Sequence, residues 1–289
     1  MCNLSLEPTV YIPAINQSTM KKILSIAVLL LVVLSASFAQ TREERKVSTF
    51  TKIAFRVPGK LYLRQGSPQR VELEGDSEFL REVETKVDGN KLTIGKESWM
   101  DWNWRDQDKV NVYITVADIE GLSVSGSGDL VGETKLSVND LDLSVSGSGT
   151  LRIEADARGD VEADVSGSGS IDLSGKCRSF DSDVSGSGKV RLAQSIGDKA
   201  SFGVSGSGRI EASGSAGEVK ISISGSGRVL ASNLEANNCT IRISGSGDAE
   251  VNAKSELDVS ISGSGSVGYR GNPAHVNSHA SGSGRVRKL

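Results

Sequence analysis

Aromatic residues, histidine and cysteine are all scarce in this chain of 289 residues. Aromatic side chains make up 4% of the sequence, whereas glycine contributes 33 residues. Few bulky side chains and many glycines favour thin, tightly turning β-structure over a helical protein. The formal net charge is only -3, with acidic and basic residues interspersed, so no strong electrostatic field favours nucleic acid as a partner.

The shortage of histidine also limits catalysis and metal binding. His275 and His279 are the only two histidines in the sequence, and histidine is the side chain whose unperturbed pKa suits a base at neutral pH. Positions four apart in a strand share a face but lie about 13 Å apart, too far to chelate one ion. We therefore expect two exposed strand histidines, no metal site, no cofactor and no catalytic residues.

Cysteine contributes three residues. Cys177 and Cys239 are separated by about three coils of the repeat described below, or about 14 Å at the spacing of neighbouring strands. A disulfide needs Cα atoms closer than about 7 Å. We predict two free thiols, with Cys239 at an inward strand position and Cys177 in a turn.

The apolar run at residues 23–34 is too short for a membrane-spanning helix, which needs about 20 residues. It follows two lysines and leads to small residues before Gln40, an order typical of a secretory signal peptide. We expect residues 1–39 to be removed on export, with Met20 as an alternative start of the signal peptide. The mature chain then has no membrane span.

The motif Ser-Gly-Ser-Gly occurs nine times in the second half of the sequence. Its copies start 18 to 21 residues apart, at Ser125, Ser146, Ser166, Ser185, Ser205, Ser224, Ser244, Ser262 and Ser281. An apolar residue precedes each copy: Val124, Val145, Val165, Val184, Val204, Ile223, Ile243, Ile261 and Ala280. The residue before that one is never apolar, which is the alternation of a half-buried strand. A period of about 20 residues indicates stacked coils.

A coil of this length buries its apolar side only by stacking on similar coils in parallel register. The sequence therefore predicts an all-β fold, a parallel β-solenoid of about nine coils, wound right-handed as parallel crossovers are. The motif glycines fall on the inward parity, and we expect the chain to bend there rather than run straight between pinched walls. Residues 122–289 form the repeat solenoid, and residues 40–121 supply a linker, irregular first coils and an N-terminal cap.

Two columns of polar residues accompany the repeat. The residue after each motif is Asp129, Thr150, Ser170, Lys189, Arg209, Arg228, Asp248, Ser266 or Arg285. Three successive cations exclude a calcium ladder, and they form either an anion-attracting stripe or a solvated face. The paired serines form either two hydroxyl columns that match a regular ligand or small partners of glycine at a tight bend.

All three tryptophans lie close together, at Trp99, Trp102 and Trp104, followed by Arg105. Exposed indoles beside charged groups suit stacking on sugar rings and bonding to their hydroxyls. The alternative is that these rings plug the end of the solenoid. We predict these four residues as candidate ligand-binding residues.

The stretch from Phe50 to Gly66, the later Asp88-Gly-Asn-Lys-Leu92, and the run from Gly121 into the first motif resemble one bacterial family. It is called putative auto-transporter adhesin, head GIN domain, and is common among exported proteins of Bacteroidetes. The resemblance covers most of the mature chain. It implies a β-helical protein of the envelope, cell surface or exterior, without established catalytic residues.

These features together predict an exported, non-enzymatic, structural or adhesin-like protein that binds surface glycans or other envelope components. One alternative is a polysaccharide lyase or hydrolase, which needs clustered charged residues of shifted pKa on neighbouring coils. The acids are scattered along the sequence, which disfavours that alternative. The other alternative is a surface scaffold that self-associates by stacking solenoid ends.

Overall fold

The computed structural model describes residues 41–96 and 109–289. The predicted signal peptide at residues 1–39 and the tryptophan cluster at residues 99–105 lie outside the described residues. Residues Thr41–Leu289 form one compact unit that is built almost wholly from strands. The predicted all-β class and parallel solenoid are confirmed.

The repeat forms two parallel walls with the core between them. We call the strand segments that lead into each motif the front wall and those that follow it the back wall. The strands are β8 (Gly121–Gly126), β9 (Asp129–Gly132), β10 (Leu136–Val138), β11 (Leu141–Gly147), β12 (Thr150–Ala157), β13 (Asp160–Gly167), β14 (Ser170–Cys177), β15 (Ser179–Gly186), β16 (Lys189–Ile196), β17 (Lys199–Gly206), β18 (Arg209–Gly225), β19 (Arg228–Gly245), β20 (Asp248–Gly263), β21 (Ser266–Arg270), β22 (His275–Gly282) and β23 (Arg285–Lys288). The longer β18, β19 and β20 run from the back wall of one coil into the front wall of the next.

Neighbouring coils pair with their motifs aligned, so that Val145 lies beside Val165 and Gly147 beside Gly167. The first glycine of every motif has a φ between +90° and +123°, a conformation that only glycine adopts cheaply. The predicted bend is therefore confirmed. The second glycine is needed for space, because a Cβ on Gly208 would lie 2.4 Å from a methyl of Val184.

The apolar residues that flank the motifs are buried in the first eight motif coils. Cys239 is buried at an inward position of β19, as predicted, and both thiols are free. The prediction of a turn at Cys177 is wrong, because this residue ends β14 and faces the core. Burial raises the pKa of each thiol to about 12.

The last coil ends the stack with smaller residues. All eight residues of β22 are exposed, and Val276 is 42% exposed. Ser278 and Ala280 lie beside Val259 and Ile261 of the preceding coil. At these two inward positions, a small residue thus replaces a branched apolar one in the last coil, which faces solvent.

A separate set of elements precedes the first motif. Within the described residues they are β1 (Thr41–Glu44), β2 (Lys52–Phe55), β3 (Gly59–Gln65), β4 (Arg70–Gly75), α1 (Ser77–Glu82), β5 (Glu84–Asp88), β6 (Lys91–Gly95) and β7 (Val110–Val116). β2 pairs in parallel with both β6 and β8, and β3 with both β7 and β9. The coil of β2 and β3 therefore lies between the β6–β7 coil and the first motif coil.

Antiparallel strands cap this end of the parallel stack. β4 pairs with β7, β5 with β6, and β1 with β4, all antiparallel. The short helix α1 is capped by Asp76, whose Oδ1 accepts hydrogen bonds from the backbone N–H groups of Glu78 and Phe79. It buries Phe79 and Leu80. The described residues at this end therefore include antiparallel strands and one helix.

Candidate functional site

A column of alternating charges crosses the outer face of the back wall. Arg152, Asp172, Arg191 and Glu211 occupy the same position in four successive coils. Asp172 accepts from Arg152 at 3.2 Å and from Arg191 at 2.7 Å, and Arg191 lies 3.7 Å from Glu211. We call these four residues the ion ladder; it is about 14 Å long at the spacing of neighbouring strands.

A groove of about 630 Å³ runs beside the ion ladder, and we call it the back-wall groove. Its floor includes the small residues Ser174, Ala193 and Ser213, which stack in the next outward column. Gly175 and Gly214 follow two of these residues and have φ values of +128° and +118°. The groove floor therefore lies next to backbone positions that only glycine adopts cheaply.

The groove continues along later coils, where Leu230, Asn233 and Glu250 also line it. A hydrogen bond from Lys189 lowers the pKa of Glu211, and Asp172 raises the pKa of Arg191. Both groups hence stay charged at neutral pH. Paired charges beside a floor of small side chains suit reversible binding, whereas general acid catalysis needs a carboxyl of raised pKa.

The predicted stripe of Lys189, Arg209 and Arg228 does stack in one column. Each cation has a carboxylate partner, however. Lys189 lies 2.7 Å and Arg209 3.6 Å from Glu211, and Arg228 lies 3.4 Å from Asp248. Lys189 and Arg209 share the single carboxylate of Glu211, so the stripe is a solvated face of paired cations that keeps a net positive charge.

The two serine columns are aligned as predicted, with Ser146 beside Ser166 in β11 and β13. The second serine of every motif is exposed. These hydroxyls follow glycines of positive φ, which matches the interpretation of serine as a small partner at a bend.

Acidic residues that are scattered in the sequence meet on the front wall. Asp142, Glu162 and Asp181 share one column, and the backbone N–H of Asp183 donates to Asp164 Oδ1 at 3.3 Å. The Asp164 charge raises the pKa of Glu162, while burial and the Asp183 charge raise the pKa of Asp181. The expectation of scattered acids is therefore wrong, because it ignored contacts between coils; aligning the coils by their motifs reveals the cluster.

His275 and His279 are exposed on β22, as predicted. Among residues 41–96 and 109–289, no three His, Cys, Asp or Glu side chains are grouped to hold a metal ion. No helix in this described part is both long and apolar enough to cross a membrane. The candidate residues Trp99, Trp102, Trp104 and Arg105 lie outside the described residues, in the segment that joins β6 to β7.

Solved structures share this fold along nearly their whole length. A putative adhesin from Parabacteroides merdae is 19% identical with a TM-score of 0.64, and the alignment covers 88% of this chain and 97% of that one. A putative lipid binding protein from Parabacteroides distasonis is 21% identical with a TM-score of 0.63, covering 88% and 98%. A putative adhesin from the same species is 19% identical with a TM-score of 0.63, also covering 88% and 98%.

A search of curated proteins finds no match. The sequence model of one protein family matches residues 49–211 and 193–273, which include the first coils, the ion ladder and most of the repeat. The chain therefore belongs to the family described as putative auto-transporter adhesin, head GIN domain.

Proposed function

We propose that this protein is an exported, adhesin-like protein that binds neutral glycans in the back-wall groove without catalysing their turnover. The observation that carries the proposal is the ion ladder beside a floor of Ser174, Ala193 and Ser213. Export rests on the predicted signal peptide at residues 1–39, and the site of action is the envelope or the cell exterior.

The groove matches the chemistry of a sugar chain. Sugar rings present apolar C–H faces and polar hydroxyl edges, so they need small or apolar contacts beside fixed donors and acceptors. The ion ladder supplies such groups, and its charges are already paired with one another. A neutral ligand uses these groups as hydrogen-bond donors and acceptors while the exposed pairs stay formed.

The proposed role is non-catalytic. The front-wall acids Glu162 and Asp181 are exposed, and glycoside hydrolysis needs its two carboxyls on opposite sides of a bound sugar. The family's adhesin description also supports binding rather than turnover. A lipid ligand is the competing interpretation, because one protein of the same fold is named a lipid binding protein.

The tryptophan segment remains a second proposed contact. Residues 97–108 connect β6 to β7, and the equivalent connection in each motif coil is the Ser-Gly-Ser-Gly bend. We propose that Trp99, Trp102, Trp104 and Arg105 form this second contact, in which sugar rings stack on the indoles.

A glycan array with matched variants tests the proposal. Ala193→Phe fills the floor without changing charge, and the double variant Arg152→Ala, Arg191→Ala removes donors from the ion ladder. Each is expected to weaken glycan binding about tenfold or more. The control Arg242→Ala removes an exposed arginine from the front wall and should bind like wild type. The double variant Trp102→Ala, Trp104→Ala tests the second contact separately.

Three results would overturn parts of this proposal. Unchanged binding by Ala193→Phe would exclude the groove. Binding to phosphatidylcholine vesicles with no glycan retained would favour the lipid interpretation. Release of new reducing ends or unsaturated sugars from a bound glycan would contradict the non-catalytic role.

A further inference from the structure

A second concave site lies at the corner of the first coils where the back wall turns into the next front wall. This corner cleft has a volume of about 860 Å³ and is lined by turns before β8, β11 and β13. Its volume is in the range of sites for small ligands. The corner cleft is separate from the back-wall groove, so a ligand bound in it is independent of the proposed glycan binding.

Hydrogen bonds place three turns of the cleft one above another. The Gln65 side-chain amide donates to the carbonyl oxygens of Ala117 and Ser137, both at 2.9 Å. The backbone N–H of Arg158 donates to the carbonyl of Val138 at 3.1 Å. Asp118, Val138 and Arg158 therefore follow one another in successive coils. Two strand spacings put the backbones of Asp118 and Arg158 about 10 Å apart.

Eight ionisable side chains line the corner cleft, and six of them already have partners. Lys52 pairs with Asp142 at 3.3 Å, and Lys176 with Asp156 at 3.4 Å. Glu120 accepts hydrogen bonds from Thr51 and Asn90, and Asp140 accepts the backbone N–H of Asp160. Each of these pairs holds one coil or turn against another.

The two remaining side chains carry opposite charges. Neither Asp118 nor Arg158 has a side-chain hydrogen bond or ion pair within the part of the chain that the structure describes. Both are exposed. They line the same cleft from coils two spacings apart, so a single ligand that pairs with both carries a positive and a negative group on a short spacer.

We propose that the corner cleft binds a small zwitterion of the length of a free di- or tripeptide. An extended peptide spans about 3.3–3.6 Å per residue, which fits the separation of the two turns. The carboxylate of Asp118 would bind the terminal ammonium, and the guanidinium of Arg158 would bind the terminal carboxylate in a two-pronged pair. The ligand class is thus a short peptide with both termini free.

Calorimetric titration with triglycine tests this proposal. Wild-type protein should bind triglycine saturably, and both N-acetyl-triglycine and triglycine amide should bind about tenfold more weakly or worse. Asp118→Asn should lose the preference for a free ammonium, and Arg158→Gln the preference for a free carboxylate. The controls Asp258→Asn and Arg242→Gln make the same changes at exposed front-wall positions and should bind like wild type.

The variants change exposed side chains, so thermal unfolding should show that each retains the wild-type fold. Absence of saturable triglycine binding to wild type would overturn the proposal. So would equal binding of the blocked peptides, or unchanged selectivity in both cleft variants. None of these results bears on glycan binding in the back-wall groove.

Discussion

Gln194 is the most unusual single residue of the core. Its side chain is buried, and neither its amide nitrogen nor its amide oxygen has a hydrogen-bond partner. The residues beside it in the two neighbouring coils are Gly175 and Gly214. The glycines leave room for a long side chain, but they offer no side-chain partner to its polar end.

We expect Gln194→Leu to stabilise the protein, because it removes two unpaired polar atoms at nearly constant volume. A gain of about 1 kcal/mol corresponds to a rise in Tm of about 2–4 °C, which calorimetry would detect. Gln65→Leu is the matched control, since its amide makes three hydrogen bonds, and it should lower Tm. A lower Tm for Gln194→Leu would show that the amide has a partner in solution.

At the scale of elements, the strands of the front wall place like charges beside one another. The Asp164 charge raises the pKa of Glu162, and burial raises the pKa of Asp164 itself. A carboxyl of raised pKa binds protons more readily in the folded state than in the unfolded one. Its favourable contribution is therefore present at low pH and lost as pH rises through the folded-state pKa.

Glu162→Gln is expected to raise Tm at pH 7 by about 1–2 °C and to have less effect near pH 4, where Glu162 is protonated. Glu211→Gln is the control of opposite sign. Lys189 lowers the pKa of Glu211, so this carboxylate stabilises the fold above its unfolded-state pKa and loses that effect as pH falls. Thermal unfolding across this pH range would contradict the argument if both variants shifted Tm in the same direction.

Within the Ser-Gly-Ser-Gly motif, the second glycine and the second serine have different structural roles. A Cβ on Gly208 would lie 2.4 Å from a Val184 methyl and 3.0 Å from the Gly188 carbonyl oxygen. We expect Gly208→Ala to destabilise the protein by about 1–3 kcal/mol through overpacking. Ser207→Ala changes the exposed neighbour and should stay within about 0.5 kcal/mol of wild type. Equal effects in urea unfolding would mean that the second glycine is not fixed by space.

At the scale of the whole molecule, stability is mainly a sum of contacts between neighbouring coils. Ile223 lies beside Ile243 in the next coil, both directly before a motif. Deleting residues 224–243 removes one coil and joins these equivalent positions. We expect the shortened chain to keep its β-type circular dichroism and to unfold cooperatively at a moderately lower Tm.

Deleting residues 224–244 instead removes one further residue and provides the control. The strand that leads into the motif is then shifted by one residue relative to its neighbours. This shift turns its inward side chains toward solvent. This variant should aggregate or unfold at a much lower temperature. Similar behaviour of both deletions would show that coil phase does not control the fold.

The repeat was predictable because the residues that define it are close together in sequence. One apolar residue directly precedes each of the first eight motifs, from Val124 in the first to Ile261 in the eighth. The period alone therefore predicts that these side chains point inward. The prediction of a turn at Cys177 was wrong because inward packing extends β14 to this residue. Gly175 and Gly214, next to the floor of the back-wall groove, have positive φ values but lie outside the motif, so the repeat pattern did not predict them.

The first coils were less predictable, because their neighbours are far apart in sequence. Lys52 pairs with both Lys91 and Gly121. No local sequence pattern predicts that β2 lies between β6 and β8. The front-wall acids show the same limit in the charge pattern, since Glu162 and Asp181 meet only after the coils are stacked. Periodicity thus gives the direction of a side chain but not every neighbour.

The insertion of β2 and β3 between two coils makes the stack mechanically asymmetric. Tension from Thr41 first releases β1 and then reaches strands held by backbone hydrogen bonds on both sides. Tension from Leu289 reaches β23 and then β22, each held by one neighbouring strand. In an optical trap, the chain should therefore unfold coil by coil from its C-terminal side. The N-terminal coils should stay folded at the force that unfolds the C-terminal ones.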